Sequence, residues 1–234
     1  MSEYLSNVTS ILERIEREQS KQLTEAKEMV ASVIAKGGLV FTFGCGHSHL
    51  PGLDAFYRAG GLANVSPMLD TDLMLHNGAA KSSRMEKISG IGAEIFRRYS
   101  IDKEKDMLVV FSVSGKNAVP VEVAESARKA GVKTVTVSSS AYYQKGARLQ
   151  TLGDINIDCF CPYGDASVKV GEAMMGGLST YTSCFILNSI LIGGAQLCVE
   201  RGVEIPVFIS GNIEGGKEHN IALEERYIPR VKHL

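Results

Sequence analysis

The sequence carries no surplus of either charge: 25 Lys and Arg stand against 26 Asp and Glu in 234 residues, a formal net charge of -1. A broad basic face is therefore missing, and with it the electrostatic footprint that nucleic-acid binding needs. Cysteines are few and odd in number, Cys45, Cys159, Cys161, Cys184 and Cys198, with no Cys-x-x-Cys pair. That excludes a disulfide framework and a zinc knuckle and leaves reduced thiols, mostly in a core. Cys159-x-Cys161 puts two sulfurs on one face of a strand, but a tetrahedral metal site needs a second pair. The first twenty residues are too polar and acidic for a secretion signal. No stretch approaches the roughly 20 apolar residues of a membrane span, so a cytoplasmic protein with no membrane partner is expected. Internal repeats, low-complexity tracts and Pro- or Ser-rich linkers are also lacking.

What remains is an ordinary globular composition, 44% hydrophobic and 22% charged, long enough to bury one core. A single domain is expected: an N-terminal helix over 1–36 for packing and oligomerisation, a core over 37–200 and an extension over 201–234. Apolar residues recur at spacing three and four through Leu5, Val8, Leu12, Ile15, Ala26, Met29 and Val33, which predicts one helix over 2–35. Such a helix would be about 50 Å long, longer than a domain of this size is wide. Packing against a second subunit is the expected outcome; a break near Glu18 that folds the helix back on its own domain is the alternative.

Beyond Lys36-Gly37-Gly38 short apolar runs alternate with amphipathic stretches, the pattern of a layered α/β protein with a parallel sheet. Strands are expected over 38–43, 62–68, 107–112, 132–137 and 154–160, and helices over 50–59, 84–99 and 117–130, the last closed by Gly131. A long apolar helix over about 168–200 follows, then an extended run at 205–210, a Gly-rich loop and a final helical turn or two.

In an open parallel sheet, ligands bind beyond the carboxyl ends of the strands. Three of those ends are small and polar: Gly44-Cys45-Gly46-His47-Ser48-His49, Ser112-Val113-Ser114-Gly115-Lys116-Asn117 and Ser138-Ser139-Ser140. Short hydroxyl donors and bare amides at helix starts suit a phosphate. A helix cap explains any one of these loops, but not three at one edge. The dinucleotide fingerprint Gly-x-Gly-x-x-Gly fails here, because His49 stands at its third glycine and Gly52 comes three residues late, although Asp70 could serve as its ribose-binding acid. No Gly-Lys-Ser/Thr ends a nucleotide P-loop.

Gly44-x-Gly46-x-Ser48 after the first strand and Ser112-x-Ser114-Gly115 after the third, with a long closing helix, resemble the SIS (sugar isomerase) domain family over about residues 1–200. Its members include sedoheptulose 7-phosphate isomerase and N-acetylmuramic acid 6-phosphate etherase. The motifs His47-Ser48-His49 and Phe56-Tyr57-Arg58-Ala59-Gly60-Gly61 most resemble a bacterial branch of phosphosugar isomerases. The resemblance implies a three-layer α/β/α sandwich with a flavodoxin-like five-stranded parallel sheet; no cofactor is expected. It implies that Ser112, Ser114 and Asn117, with the amides around Gly115 and Lys116, hold the phosphate of a small-molecule sugar phosphate while Ser48 binds the sugar. It also implies a homodimer or homotetramer with sites near subunit interfaces. The heptose isomerase's catalytic Glu, counted back from Arg58, falls on Asp54, one methylene shorter; in the etherase layout the acid falls nearer Tyr57.

Aldose-ketose isomerisation requires a base for the proton beside the carbonyl and an acid that moves protons between oxygens. One carboxylate and one imidazole suffice. Asp54, Glu172 and Glu94 are the carboxylates, and His47, His49, His76 and His219 the imidazoles. Asp54, Glu172, His76 and His219 are the expected catalytic set, and Gly46, His47, Ser48, Ser112, Ser114, Gly115, Lys116, Asn117, Ser138 and Ser139 the expected substrate contacts. Glu172 is read at the start of the long helix, where an acid also complements the helix dipole. His219 is read in a loop that could close over a ligand. Lys81 and Arg84 could neutralise a phosphate or face water. No metal is expected; were one bound, His47 and His49 with an acid would be its ligands. A β-elimination would use the same base and cradle, and a sugar-phosphate sensor would use the cradle alone.

Overall fold

The computed structural model describes residues 2–234. Five strands, β1 (Val40–Gly44), β2 (Val65–Pro67), β3 (Met107–Phe111), β4 (Lys133–Ser138) and β5 (Ile155–Asp158), form one sheet in the order β2-β1-β3-β4-β5. Every pairing is parallel. Strands β1 and β3 are buried along their whole length, so their near-continuous apolar sequences are the signature of a sheet covered on both faces.

One face is covered by α1 (Glu3–Glu18), α2 (Ser20–Ala35) and α7 (Ser179–Glu200), which bury Ile15, Leu23, Val30, Ile186 and Ile190 against Val40, Val109 and Val135. The other carries α5 (Ile91–Arg97), α6 (Ala118–Ala130) and α8 (Gly216–Tyr227), with Ile95, Val123 and Leu223 packed on Phe41, Leu108 and Val110. Two further short helices, α3 (Leu50–Ala55) and α4 (Ala79–Met85), follow β1 and β2. Gly131 closes α6 in the left-handed conformation, φ 74°, as the sequence indicates.

The structure corrects four element assignments. The single helix over 2–35 is two helices broken at Gln19, and α2 is packed against α7 within the same chain. The helix expected over 84–99 is interrupted by Gly90, φ 94°, leaving α5 to start at Ile91. The run at 205–210 makes only an isolated antiparallel bridge, Leu62 with Val207.

The long apolar helix starts at Ser179, because residues 166–177 form an antiparallel hairpin of β6 (Ala166–Val170) and β7 (Ala173–Gly177). Asp165 fixes that start across the hairpin, its carboxylate accepting from the Leu178 amide (3.1 Å), the Ser179 amide (2.8 Å) and the Ser179 hydroxyl (2.6 Å). Helix α7 is also, at 22 residues, long and apolar enough by length and composition to cross a membrane, contrary to the expectation of no such stretch. Half of its apolar window is buried in the fold, as in a core helix.

Candidate functional site

Because β1, β3 and β4 are neighbours, their carboxyl-end loops lie side by side. The ladder continues beyond the strands: the Ser112 amide donates to Val137 O (3.0 Å) and the Ser139 amide to Val113 O (2.9 Å). In the β3 loop the Gly115 amide donates back to Ser112 Oγ (3.2 Å) and Ser112 O (3.0 Å). That tight turn needs a left-handed residue, and Gly115 has φ 60° with a Cβ position already 3.3 Å from the Leu149 side chain. Ser112 is buried and Ser114 half-buried, and Asn117 precedes the first turn of α6, whose amides begin the helix. Hydroxyls and helix-start amides thus meet in one place, the arrangement that binds an oxyanion.

The β1 loop approaches its own backbone closely. A Cβ on Gly44 would lie 2.0 Å from Ser48 O, so only glycine fits there. Gly46 is left-handed, φ 56°. Ser48 is half-buried and His47 exposed. His49 is buried, its Nδ1 bonded to Gly46 O; burial holds its imidazole below the usual range. The His76 ring stands edge-on to it, centroids 6.3 Å apart. His49 is therefore a structural part of the turn, and His47 and His76 are the exposed imidazoles at this edge.

A carboxylate that sequence reasoning passed over stands between the two loops. Glu86, directly after α4, lies beside the Asn117 side chain, which pulls its carboxyl down, and close enough to Cys45 to raise its thiol pKa further. Burial pushes the Glu86 carboxyl above the ordinary glutamate value of 4.5, more than Asn117 and Lys87 pull it down. Its backbone carbonyl accepts from the Val119 amide (3.1 Å), which locks it to the start of α6. No motif marks it, for it sits in an amphipathic stretch thirty residues from the loop it serves.

The other candidates are dispersed. Asp54 is bonded to Arg58 and accepts from Asn188 Nδ2 (3.2 Å) on α7, and its charge adds to the burial that pushes the Cys184 thiol up to about 11. Glu172 sits on the exposed turn of the β6–β7 hairpin, so the expectation of a helix-start acid is corrected. His219 belongs to α8 and not to a loop, its Nε2 2.8 Å from Val207 O. Glu94 pairs with Arg97 (2.9 Å), Lys81 with Asp72 (2.8 Å) and Asp70 with Arg98 (2.8 Å), while Arg84 is exposed.

Ser138 and Ser139 are buried with their hydroxyls engaged, Ser138 at Asn156 Oδ1 (3.2 Å) and Ser139 at Cys161 O (2.5 Å). The exposed Tyr57 donates to Glu224 (2.7 Å). Cys159 and Cys161 are both fully buried. Among the described residues, no group of three His, Cys, Asp or Glu side chains is placed to hold a metal ion.

The chain is of the open parallel α/β class, in which ligands bind at the carboxyl edge of the sheet, where hydroxyls and helix-start amides are gathered here. A sequence model of the SIS domain matches residues 3–139, and the chain belongs to the SIS domain family. It is 40% identical over 245 residues to a UPF0309 protein of Thermoanaerobacter pseudethanolicus, covering 99% of both chains. Among solved structures, it resembles a phosphoheptose isomerase from Francisella tularensis, with TM-score 0.55 and 14% identity over 82% of this chain and 95% of that one. It also resembles the Vibrio vulnificus NanR protein complexed with ManNAc-6P, with TM-score 0.53 and 16% identity over 97% of this chain and 67% of that one. At these identities the two structures establish the shared fold.

Proposed function

We propose that the chain binds a sugar phosphate with its phosphoryl group at the start of α6 and interconverts aldose and ketose forms through an enediol. Ser112, Ser114 and the amides of Lys116 and Asn117 hold the phosphoryl group, and Gly46, His47 and Ser48 face the sugar. The observation that carries the reading is the gathering of Ser112, Ser114 and the helix-start amides at the carboxyl edge of the sheet beside Glu86. The backbone carbonyl of Glu86 accepts from the Val119 amide at the start of α6 (3.1 Å), and burial pushes its half-buried carboxyl above the ordinary glutamate value. A carboxylate of raised pKa beside a bound substrate is suited to take the proton from the carbon next to the carbonyl and return it to the neighbouring carbon. His76 or His47 then moves the proton between the two oxygens. The family membership and the resemblance to a phosphoheptose isomerase support the substrate class.

Asp54, the position the family resemblance favours, opens with Arg58 and Asn188 toward a different place. Both of those side chains line a groove of about 860 Å³ between α3 and α7, together with the exposed Ile192 and Val199. The reading therefore includes a cytoplasmic homodimer or homotetramer in which this groove lies near a subunit interface and a second copy completes the site. Glu172 and His219, remote from the loops in sequence and both exposed, would act only across such an interface.

The test is proton NMR in heavy water with aldose, ketose and N-acetylamino sugar phosphates. Loss of the proton beside the carbonyl with appearance of the partner sugar supports an isomerase; an unsaturated product indicates β-elimination by the same base. Binding without exchange overturns the enzymatic reading and leaves a sugar-phosphate sensor.

A further inference from the structure

The phosphate loop has a second side. Beyond the start of α6 lies a cavity of about 420 Å³, and three cationic side chains line it: Lys87, Lys116 and Arg148. Lys116 and Asn117 belong both to the loop proposed to hold phosphate and to this cavity wall. The other walls are tied to the same loop by backbone hydrogen bonds. The Arg148 amide donates to Gly115 O (2.8 Å), and the Val119 amide donates to the carbonyl of Glu86, the neighbour of Lys87. The backbone that carries these cations is therefore fixed relative to the cradle, with the Lys87 and Arg148 side chains exposed beyond it.

Two carboxylates share the cavity, and both are occupied. Glu122 accepts the amides of Gly90 (2.8 and 2.9 Å) and Gly92 (3.0 Å), clamping the start of α5 onto α6. Glu125 pairs with Arg148 Nη2 at 2.5 Å, which leaves the other edge of the guanidinium free to donate. Among the described residues neither Lys87 nor Lys116 has a carboxylate within ion-pair distance; the Lys116 ammonium lies over the Tyr142 ring, 5.7 Å from its centroid. Among the residues that line the cavity, three cations stand against two engaged carboxylates, Glu86 beside Lys87 lying outside the lining, and an anion is held more strongly in such a concave, polar space than on a flat surface.

We infer that this cavity is a second anion subsite, and that the ligand of the chain is a sugar phosphate with a second anionic group, either another phosphoryl group or a carboxylate. The inference rests on the proposed function, which places the first phosphoryl group at the α6 start. The two subsites share the Lys116–Asn117 backbone, so one ligand bridges them around a single turn of chain. Lys87 and Arg148 act on the second group alone.

The test is isothermal titration of the full chain with three probes, fructose 6-phosphate, fructose 1,6-bisphosphate and 6-phosphogluconate, repeated on Lys87→Gln and Arg148→Gln. The expected result is at least tenfold tighter binding of a dianionic-site probe than of fructose 6-phosphate, with that advantage lost in Lys87→Gln and fructose 6-phosphate affinity unchanged. Preference for the bisphosphate assigns a phosphoryl group to the cavity; preference for 6-phosphogluconate assigns a carboxylate. Equal affinities in the unmodified chain overturn the second subsite and leave the phosphate cradle standing, as does an advantage that survives both substitutions. Failure of all three probes to bind overturns the cradle and the second subsite together.

Discussion

Gln19 Oε1 accepts a hydrogen bond from the Asp158 amide at 3.0 Å, joining the break between α1 and α2 to the end of β5 across 139 residues of sequence. The same glutamine looks like a flaw in a helical seam, and its side chain is nearly buried. It supplies the acceptor that an outward-facing amide of the edge strand β5 lacks, so the kink and the open sheet edge are satisfied together. Replacing Gln19 with Leu keeps the volume and orphans that amide. A loss of about 1–3 kcal/mol in urea unfolding is expected. An unchanged midpoint would show that the bend does not depend on this bond.

A second long-range lock closes the opposite end of the sheet. Asp106, fully buried at the side chain, accepts from the Leu39 amide (2.8 Å), the Asp102 amide (2.7 Å) and Arg230 Nη2 (2.6 Å). Arg230→Ala leaves the carboxylate to its two amides. Since Arg230 keeps 35% of its side chain in solvent, the expected cost is about 1–3 kcal/mol, less than breaking a fully buried pair. Arg230→Lys should recover part of it in the same thermal unfolding measurement. Equal stability of both variants and the unmodified chain would remove the lock from the account.

Local patterns in the sequence carry the sheet and its small polar strand-end loops, because a strand buried on both faces announces itself as an unbroken apolar run and the loop after it as small, polar residues. The features that escaped are those decided by distant partners. Residues 168–177 read as the beginning of the long apolar helix over about 168–200, whereas they belong to a hairpin; the helix start is set by Asp165, which reaches across the hairpin to Ser179. The family resemblance places Asp54 by its distance from Arg58, yet its partner Asn188 lies on α7, 134 residues away. Glu86 carries no motif and gains its character from burial beside Asn117.

The phosphate loop is tested most directly at Ser114, whose half-buried position leaves the fold little dependent on its hydroxyl. Ser114→Ala should weaken binding of every sugar phosphate by roughly 10- to 100-fold, the value of about 1.5–3 kcal/mol for a hydrogen bond to a charged group, with no change in thermal stability. Unaltered affinity in a titration series would show that the phosphoryl group lies elsewhere.

Gly44 offers a backbone test of the neighbouring loop. A methyl group there would sit 2.0 Å from the Ser48 carbonyl oxygen, in the middle of a β1 end that is buried on all sides. Gly44→Ala must push the 44–48 turn outward, so both stability and sugar-phosphate affinity should fall, whereas Gly60→Ala, open to solvent but left-handed at φ 82°, should cost stability alone. Hydrogen exchange of the 45–49 amides reports the displacement; unchanged protection with full affinity would contradict the close approach.

Glu86 separates stability from activity by pH. Its folded-state pKa lies above the unfolded value of 4.5 because burial disfavours the charged form, so its contribution to stability is fully present below 4.5 and is lost as pH rises through the folded value. Glu86→Gln removes that loss. The variant should therefore match or exceed the parent in thermal stability at pH 7–8, and its relative advantage should shrink as pH falls toward 4.5. Activity should run the other way. As the base, Glu86 must be ionised, so exchange of the proton beside the carbonyl should decline in the parent as pH drops through the raised pKa, and should be reduced by at least about 100-fold in Glu86→Gln at every pH. Neutral glutamine keeps the size of the side chain beside Asn117, so affinity for the phosphoryl group should hold. A variant that retains exchange would remove Glu86 as the base and return that role to Asp54, whose carboxylate would then have to part from Arg58 to reach the substrate.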